Sequence, residues 1–337
     1  MTISAALPRL HRRFQAAGFR SRRRSFLASR LFDVGVVLLG VSFLVFLMIR
    51  LIPGDAVAIM LGANAEVTPE RIAEITTRLG LDQPIFVQYW RWLGGALTGD
   101  LGVSLWTRRP VVDEILGHMG PTLLLAALAL VVGVGLAVPL GVVMAKLRGR
   151  GWDVALRIGS VIGLTIPSFW FGIMLIFVAA AVAPDAQLLG YESFLADPLA
   201  NLTRLLLPAF ALALPILANL ARLLRSAMLD ALQQDYIRTA RAKGASETSI
   251  LFKHALRNAL IPFVTSVGIM TGYLLSGAIV VEQVFAIPGV GRLILGAIAE
   301  RNYPLLQGAI LVVTAMFVLV NLAVDLLYAA IDPRVRR

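Results

Sequence analysis

Six long apolar runs limit the folds open to this chain more than any other feature of its sequence. Each run is about 20 residues or longer, the length that an α-helix needs to cross roughly 30 Å of hydrocarbon. The runs cover residues 31–52, 122–145, 158–182, 205–224, 260–281 and 309–330. A transmembrane β-barrel is disfavoured, because its strands are alternating segments of about ten residues. We therefore predict an all-α integral membrane protein with six transmembrane helices.

The composition excludes a soluble enzyme and a disordered chain. Hydrophobic residues make up 58% of the 337 residues, and charged residues make up 15%, against about 25% in typical soluble domains. A soluble fold could not cover so much apolar surface with so few charges. The chain contains no cysteine, which excludes disulfides, thiolate metal sites and cysteine nucleophiles.

The basic residues predict the orientation of the chain. The net charge is +11, and positive charge is in excess in residues 1–30, 146–157, 222–258 and 331–337. The intervening segments, 53–120, 183–204 and 282–308, are acidic or balanced. By the positive-inside rule, both termini and the basic loops are cytoplasmic. The predicted division is a cytoplasmic arm 1–30, a first transmembrane helix 31–52, an extracytoplasmic segment 53–120, a five-helix core 121–330 and a cytoplasmic tail 331–337. The arm is expected to be flexible or interfacial.

The extracytoplasmic segment 53–120 is predicted to contain two short helices. Thr68-Pro69-Glu70 provides an N-cap, a proline at the first helical position and an acid at the positive end of the helix dipole, and Gly80 is a suitable stop. A second helix is expected over residues 85–93. It carries the aromatic residues Phe86, Tyr89, Trp90 and Trp92. We favour a position at the membrane interface for these aromatics; contact with a partner protein is the alternative.

The cytoplasmic segment 222–258 carries the most specific pattern in the chain. It includes QQDYIRTARAKGAS over 233–246 and LFKHALRNALIP over 251–262. Gly244, with small residues on both sides, is predicted to end one helix, and Ser246 to cap the next. The segment could be two amphipathic helices on the inner leaflet. Alternatively, it presents a short helix to a cytoplasmic partner.

At these residues the chain resembles the permease subunits of ATP-binding-cassette importers, in particular the oligopeptide/dipeptide permease B group. The peptide-importer form of the cytoplasmic signature matches closely. The general form of the signature departs at four positions: Arg238 and Thr239 replace Glu and Ala, His254 replaces Ile, and Arg257 replaces Pro. The resemblance extends over residues 31–336 and includes IPGD (52–55), LGLDQP (79–84), GDLGVS (99–104), IPSFW (166–170), EQVF (282–285), PGVGR (288–292) and DPR (332–334).

The resemblance implies a type I importer permease fold in the bacterial inner membrane. It also implies partners: a second permease, two ATPase subunits that hold ATP and Mg, and an extracytoplasmic solute-binding protein. The coupling loop would lie within 225–258. The resemblance assigns contact with an ATPase to eight residues: Arg238, Thr239, Ala240, Arg241, Ala242, Lys243, Gly244 and Ala245.

We expect this chain to be half of the pathway of an ATP-driven peptide importer. No catalytic, cofactor or metal residues are predicted in it. A phosphate-binding Gly-x-x-x-x-Gly-Lys-[Ser/Thr] loop is absent, since no Gly-Lys pair occurs in the sequence. The alternatives are an importer of nickel, glutathione or another small solute, and, from another class, a secondary transporter that works alone. A secondary transporter would be expected to show paired broken helices or coupled intramembrane carboxylates.

Candidate pathway or gate residues lie in the third span and after the fifth. They are Pro167, Ser168, Trp170 and Glu282. Pro167 either kinks the third span or serves as a hinge. Glu282 is expected to anchor the following turn at 288–291, with contact to a substrate amine or cation as the alternative.

Small residues and charges within the spans give further expectations. The pairs Gly159/Gly163 and Gly268/Gly272 predict close helix packing, with a subunit interface at the second pair as an alternative. Asp325 is expected to pair with an arginine. For the charges near span ends, which are Asp33, Arg50, Arg222 and Arg225, extension of the side chain to the interface is sufficient. His254 is expected to pack rather than bind metal.

Overall fold

The fold was determined from a computed structural model, which describes residues 7–51, 76–77, 82–185, 187–194 and 196–331. In this part of the chain the secondary structure is helical, apart from an isolated bridge between Val103 and Pro110. The predicted helix start at Thr68 and the stop at Gly80 lie outside the described residues. The described helices are α1 Leu7–Leu51, α2 Ile85–Leu97, α3 Val111–Lys146, α4 Gly151–Thr165, α5 Ser168–Val182, α6 Pro198–Leu232, α7 Asp235–Ala242, α8 Glu247–Val284, α9 Val290–Ala299 and α10 Tyr303–Ile331.

Five of these helices are long and apolar enough to cross a membrane: α1, α3, α6, α8 and α10. The helices α3, α6, α8 and α10 each contain a predicted span, and α1 covers residues 31–51 of the first. The helix α3 begins eleven residues before its predicted span, at Val111. The helix α1 continues without a break through the predicted boundary between residues 30 and 31. The all-α fold with up to six spans is therefore confirmed.

The third predicted span, 158–182, is interrupted at Pro167, the residue predicted to kink it or to serve as a hinge. The helices α4 and α5 meet at an angle of 107°. Proline disfavours helical geometry in the residue before it and has no N–H to donate. Accordingly, Ile166 is extended, with φ −69° and ψ 124°, and α5 begins immediately after Pro167. Pro167 thus divides this span into two helices.

The helix α6 lies at the centre of the fold and packs against α3, α4, α5 and α8. Its contact with α3 is close because Gly141 has no side chain: a Cβ there would lie 2.9 Å from both the Ala221 carbonyl oxygen and Leu224 Cβ. Gly163 of α4 packs in the same way against Leu214 and Ala218. Gly159 has open space around it, so only one member of that predicted pair contacts a helix.

The other glycine pair packs α8 against α10 within the chain. Gly268 lies against Val324, and Gly272 lies against Phe317 and Asn321. These contacts occupy the glycine face within the chain, and a subunit interface elsewhere on the fifth span stays a prediction. Asp325 of α10 forms an ion pair of 3.3 Å with Arg30 of α1, as expected.

The aromatic residues of α2 divide into two groups. Phe86 and Trp90 are exposed, whereas Tyr89 and Trp92 pack against α1. The Tyr89 hydroxyl lies 2.8 Å from the buried Ser42 hydroxyl. The side chain of Arg50 lies over the Phe46 ring, 4.8 Å from its centroid, and donates to Gln88. Tyr89 and Trp92 therefore hold α2 against the first span, and a position at the membrane interface stays a prediction.

Two local features were not predicted from the sequence. Residues Ile250–Leu256 of α8 form a π-helical segment. The short apolar helix α9 follows α8, where only a turn at 288–291 was expected. Short apolar runs have no periodicity that separates a buried helix from a loop or strand, which explains why α9 was missed.

Candidate functional site

The helix α7 forms an exposed connection between the long helices α6 and α8. Ile237 is its buried residue. The neighbouring polar residues Arg238, Thr239, Arg241 and Lys243 are exposed. On its inner side α7 packs against the π-helical segment of α8. The segment therefore presents a short polar helix that is held at both ends by spans.

Gly244 ends α7 with a Schellman motif, which matches the prediction of a glycine stop. The Ala245 N–H donates to the Ala240 carbonyl at 3.1 Å, and the Gly244 N–H donates to the Arg241 carbonyl at 2.9 Å. This pair of hydrogen bonds requires a left-handed residue after the helix, which glycine adopts without strain. The φ angle of Gly244 is +81°. Gly244 is therefore required for its backbone geometry, since a Cβ at this position would meet nothing within 4 Å.

Side chains on both sides of Gly244 fix the angle between α7 and α8. The guanidinium of Arg241 donates to both carboxylate oxygens of Glu247, at 2.8 and 3.1 Å. Hydrogen bonding to Glu247 raises the pKa of the Arg241 guanidinium above its ordinary value. The Ser246 hydroxyl accepts from the Ser249 N–H, as predicted for an N-cap.

A second contact links the start of α7 to α8. The Asn258 side-chain amide donates to the Tyr236 hydroxyl at 2.6 Å. His254, which lies between Glu247 and Asn258 in the sequence, is half-buried. Within the described residues, no group of three or more metal-binding side chains occurs.

A buried ion pair ties the predicted cytoplasmic turn 146–157 to α6. Arg225 donates from Nε and Nη2 to the two oxygens of Asp153, both at 2.9 Å. The side chains are 17% and 3% exposed, respectively. The expectation that Arg225 simply reaches the interface was wrong, because the guanidinium is directed to a carboxylate 72 residues away in sequence. Nothing in the sequence joins these two residues, and only the packing of α4 on α6 brings them together.

Glu282 is enclosed at the junction of α3, α8 and α9. It is fully buried and accepts hydrogen bonds from the Thr122 hydroxyl at 2.6 Å and the Arg292 N–H at 3.2 Å. A Cβ on Gly289 would clash with the carboxyl group of Glu282. The carboxylate thus occupies the position of an anchor for the turn at 288–291. Because it is enclosed, Glu282 does not line an open pathway in this structure. Its hydrogen-bond partner Thr122 was not predicted from the sequence.

The other three candidate pathway residues lie at the break between α4 and α5. Pro167 and Trp170 are exposed, and Ser168 is half-buried. Trp170 is exposed over 47% of its surface. These three residues lie together at the break, whereas Glu282 is enclosed at the junction of α3, α8 and α9. A role for the break in a pathway stays a prediction.

Comparison with known families shows to which family this helical chain belongs. The model of the binding-protein-dependent transport system inner membrane component matches residues 137–337, and its N-terminal counterpart matches residues 24–126. The chain belongs to this family. It is therefore an inner-membrane permease component of a binding-protein-dependent transport system, and the family is a transport component rather than a catalytic enzyme.

Curated relatives match the permease over nearly its whole length. It is 41% identical over 300 residues to a putative peptide transport system permease protein of Brucella abortus strain 2308, which covers 89% of this chain and 95% of that one. It is 39% identical over 312 residues to the glutathione transport system permease protein GsiC of Escherichia coli K12, which covers 93% and 99%.

A solved structure supports the fold of the permease. The match is an inward-facing form of the MetNI methionine ABC transporter, with a TM-score of 0.54 and 18% identity. It covers 65% of this chain and 96% of that chain. At this identity the match concerns the fold alone. It agrees with a type I permease arrangement of the helices.

Proposed function

We propose that this permease is one of two membrane subunits of an ATP-driven importer of short peptides. The coupling role is inferred from one observation: α7 is an exposed helix that is held between two spans. Its end is fixed by the Gly244 turn and the Arg241–Glu247 ion pair. A helix held at both ends can transmit a movement of a bound ATPase to the spans as a rigid body.

Residues Arg238 to Ala245 form the contact with the ATPase in this proposal. Arg238, Thr239, Arg241, Ala242, Lys243 and Gly244 are exposed, and Ala240 and Ala245 are half-buried. ATP and Mg bind to the ATPase subunits, and a solute-binding protein delivers the substrate from outside. The second permease completes the pathway.

Peptides are favoured as the substrate class because of the relative named as a peptide permease and the match to the peptide form of the cytoplasmic signature. Glutathione is a specific second candidate, since a relative of nearly equal identity is named as a glutathione permease. Both solutes carry free carboxylate and ammonium groups, which makes their discrimination an experimental question.

Reconstitution tests the proposal. The permease is assembled in liposomes with its partner permease, ATPases and binding protein, and uptake of labelled trialanine and of labelled glutathione is measured with and without ATP. We expect ATP-dependent uptake of trialanine that is lost when the ATPases are omitted. Uptake of glutathione but not of trialanine would make glutathione the substrate in place of peptides. Uptake by this chain without ATPases would contradict the proposal that transport is driven by ATP.

A further inference from the structure

A polar cleft lies between the start of α3 and the helix α9, with the loop 107–109 on its rim. Its volume is about 530 Å³, which falls within the range of about 300–1,000 Å³ for small-molecule sites. Both walls belong to segments that the charge distribution places outside the membrane, 53–120 and 282–308. The cleft therefore opens on the side from which an imported solute arrives.

The walls of the cleft are held together by hydrogen bonds. The Trp106 indole donates to the Glu300 carbonyl at 2.9 Å, and the Asn302 amide donates to the Ser104 hydroxyl at 2.8 Å. The Leu105 N–H donates to the Asn302 side-chain oxygen at 3.2 Å. A hydrophobic cluster of Leu101, Val111, Ile115, Val290, Ile294, Ala297, Leu305 and Ala309 joins the two walls. The cleft is thus formed before any ligand binds.

Charges of both signs line this cleft without compensating one another. Arg109 and Arg292 are exposed there, and neither guanidinium has a hydrogen bond or ion pair within the described part of the chain. The same holds for the carboxylates of Asp113 and Glu300. A guanidinium is suited to bidentate binding of a carboxylate, and a carboxylate accepts from an ammonium group.

Two glycines keep the cleft open. Gly117 of α3 and Gly296 of α9 line its walls. A Cβ at either position would meet nothing within 4 Å. A side chain can therefore begin at either position without displacing a neighbouring atom. We expect a larger side chain there to fill part of the cleft.

We propose that this outer cleft is a binding site for a small zwitterionic solute. Arg109 and Arg292 bind its carboxylate, and Asp113 and Glu300 bind its ammonium group. The proposal rests on the importer function, and it adds a point of contact for the substrate on the permease itself. Peptides and glutathione share the required chemistry, so the cleft serves either substrate class.

Direct binding tests the cleft independently of transport. The complex of permeases and ATPases is placed in nanodiscs without binding protein, and affinity for trialanine is measured by saturation-transfer NMR. The other probes are trialanine amide, N-acetyltrialanine and glutathione. We expect either modification of trialanine to weaken binding about tenfold, because each removes one charge-assisted interaction. The R109A/R292A double variant should lose a similar factor and no longer distinguish trialanine from its amide.

Blocking and control variants complete the test. Gly296→Leu should abolish binding, whereas Arg91→Ala and Gly94→Leu, which change exposed residues of α2 outside the cleft, should leave it unchanged. Thermal unfolding confirms that each variant is folded. The proposal that the cleft binds the solute would be wrong if Gly296→Leu or R109A/R292A left binding unchanged. It would also be wrong if the unaltered complex did not bind trialanine. Binding as expected without any ATP-dependent uptake would contradict only the importer function.

Discussion

Arg225 and Asp153 are joined by two hydrogen bonds of 2.9 Å between a guanidinium and a carboxylate that are 72 residues apart. The pair connects the turn between α3 and α4 to the central helix α6. Asp153 also accepts from the Gly149 N–H at 3.4 Å and lies 3.6 Å from Arg157. One carboxylate thus fixes the position of a turn relative to the helix that leads into the coupling segment.

Removal of Asp153 is expected to destabilise the protein strongly. Asp153→Ala leaves the half-buried Arg225 without its partner, and loss of one member of a buried ion pair costs about 3–5 kcal/mol. Thermal unfolding of the purified complex measures the loss. Arg148→Ala, which changes an exposed arginine of the same turn, should alter the free energy of unfolding by less than about 0.5 kcal/mol. A double variant Asp153→Asn/Arg225→Met should be more stable than Asp153→Ala; if it is not, the pairing does not account for the loss.

Substitution of Gly244 should affect coupling through backbone geometry. A β-branched residue at φ +81° is strained, whereas asparagine tolerates the left-handed region. We expect Gly244→Val to reduce copurification of the ATPases and ATP-dependent uptake, and Gly244→Asn to retain most of both. Membrane insertion should be normal in each. Equal uptake in the valine variant and the unaltered protein would contradict the assignment of the turn.

The Arg241–Glu247 ion pair provides a separate test of the same segment. Glu247→Ala should weaken ATPase copurification, because the angle between α7 and α8 is no longer fixed. The exchanged variant R241E/E247R should recover part of the loss if the ion pair sets this angle. If the contribution of Arg241 comes mainly from its contact with the ATPase and not from the ion pair, the exchange gives no recovery. Copurification yield, normalised to permease in the membrane, distinguishes these results.

The junction around Glu282 should be intolerant of added volume. A Cβ on Gly291 would clash with the Ile279 backbone, whereas Gly296 of the same helix has open space. We expect Gly291→Ala to destabilise the protein by about 1–3 kcal/mol. Gly296→Ala should be neutral or stabilising by up to about 1 kcal/mol, since alanine favours the helix. Similar melting temperatures for the two variants would contradict the packing at this junction.

Orientation is directly measurable because the chain contains no cysteine. A cysteine in place of the exposed Leu97 should react with a membrane-impermeant maleimide added to intact cells. A cysteine in place of the exposed Lys243 should react only after the membrane is opened. The opposite pattern would reverse the predicted topology. Total labelling in detergent serves as the control for reactivity.

Much of the helical arrangement followed from local sequence. Spans depend on the length of an apolar run, and helix ends depend on capping residues a few positions away. For this reason the Gly244 stop and the Ser246 cap were predicted correctly. The break at Pro167 was located from the sequence but its extent was not, because a proline in a span permits either a repaired kink or a bend as sharp as the observed 107°. Tertiary packing decides between these outcomes.

The sequence by itself determined the membrane class, the spans, the family resemblance and the segment proposed to contact an ATPase. Each of these depends on residues that are near one another in the chain. Only the tertiary structure joined Asp153 to Arg225, enclosed Glu282 beside Thr122 and brought Arg109 and Arg292 to one cleft. These relationships depend on which helix faces pack together. A pattern of apolar residues within one helix does not specify its neighbour, so long-range polar contacts emerge only when the helices are assembled.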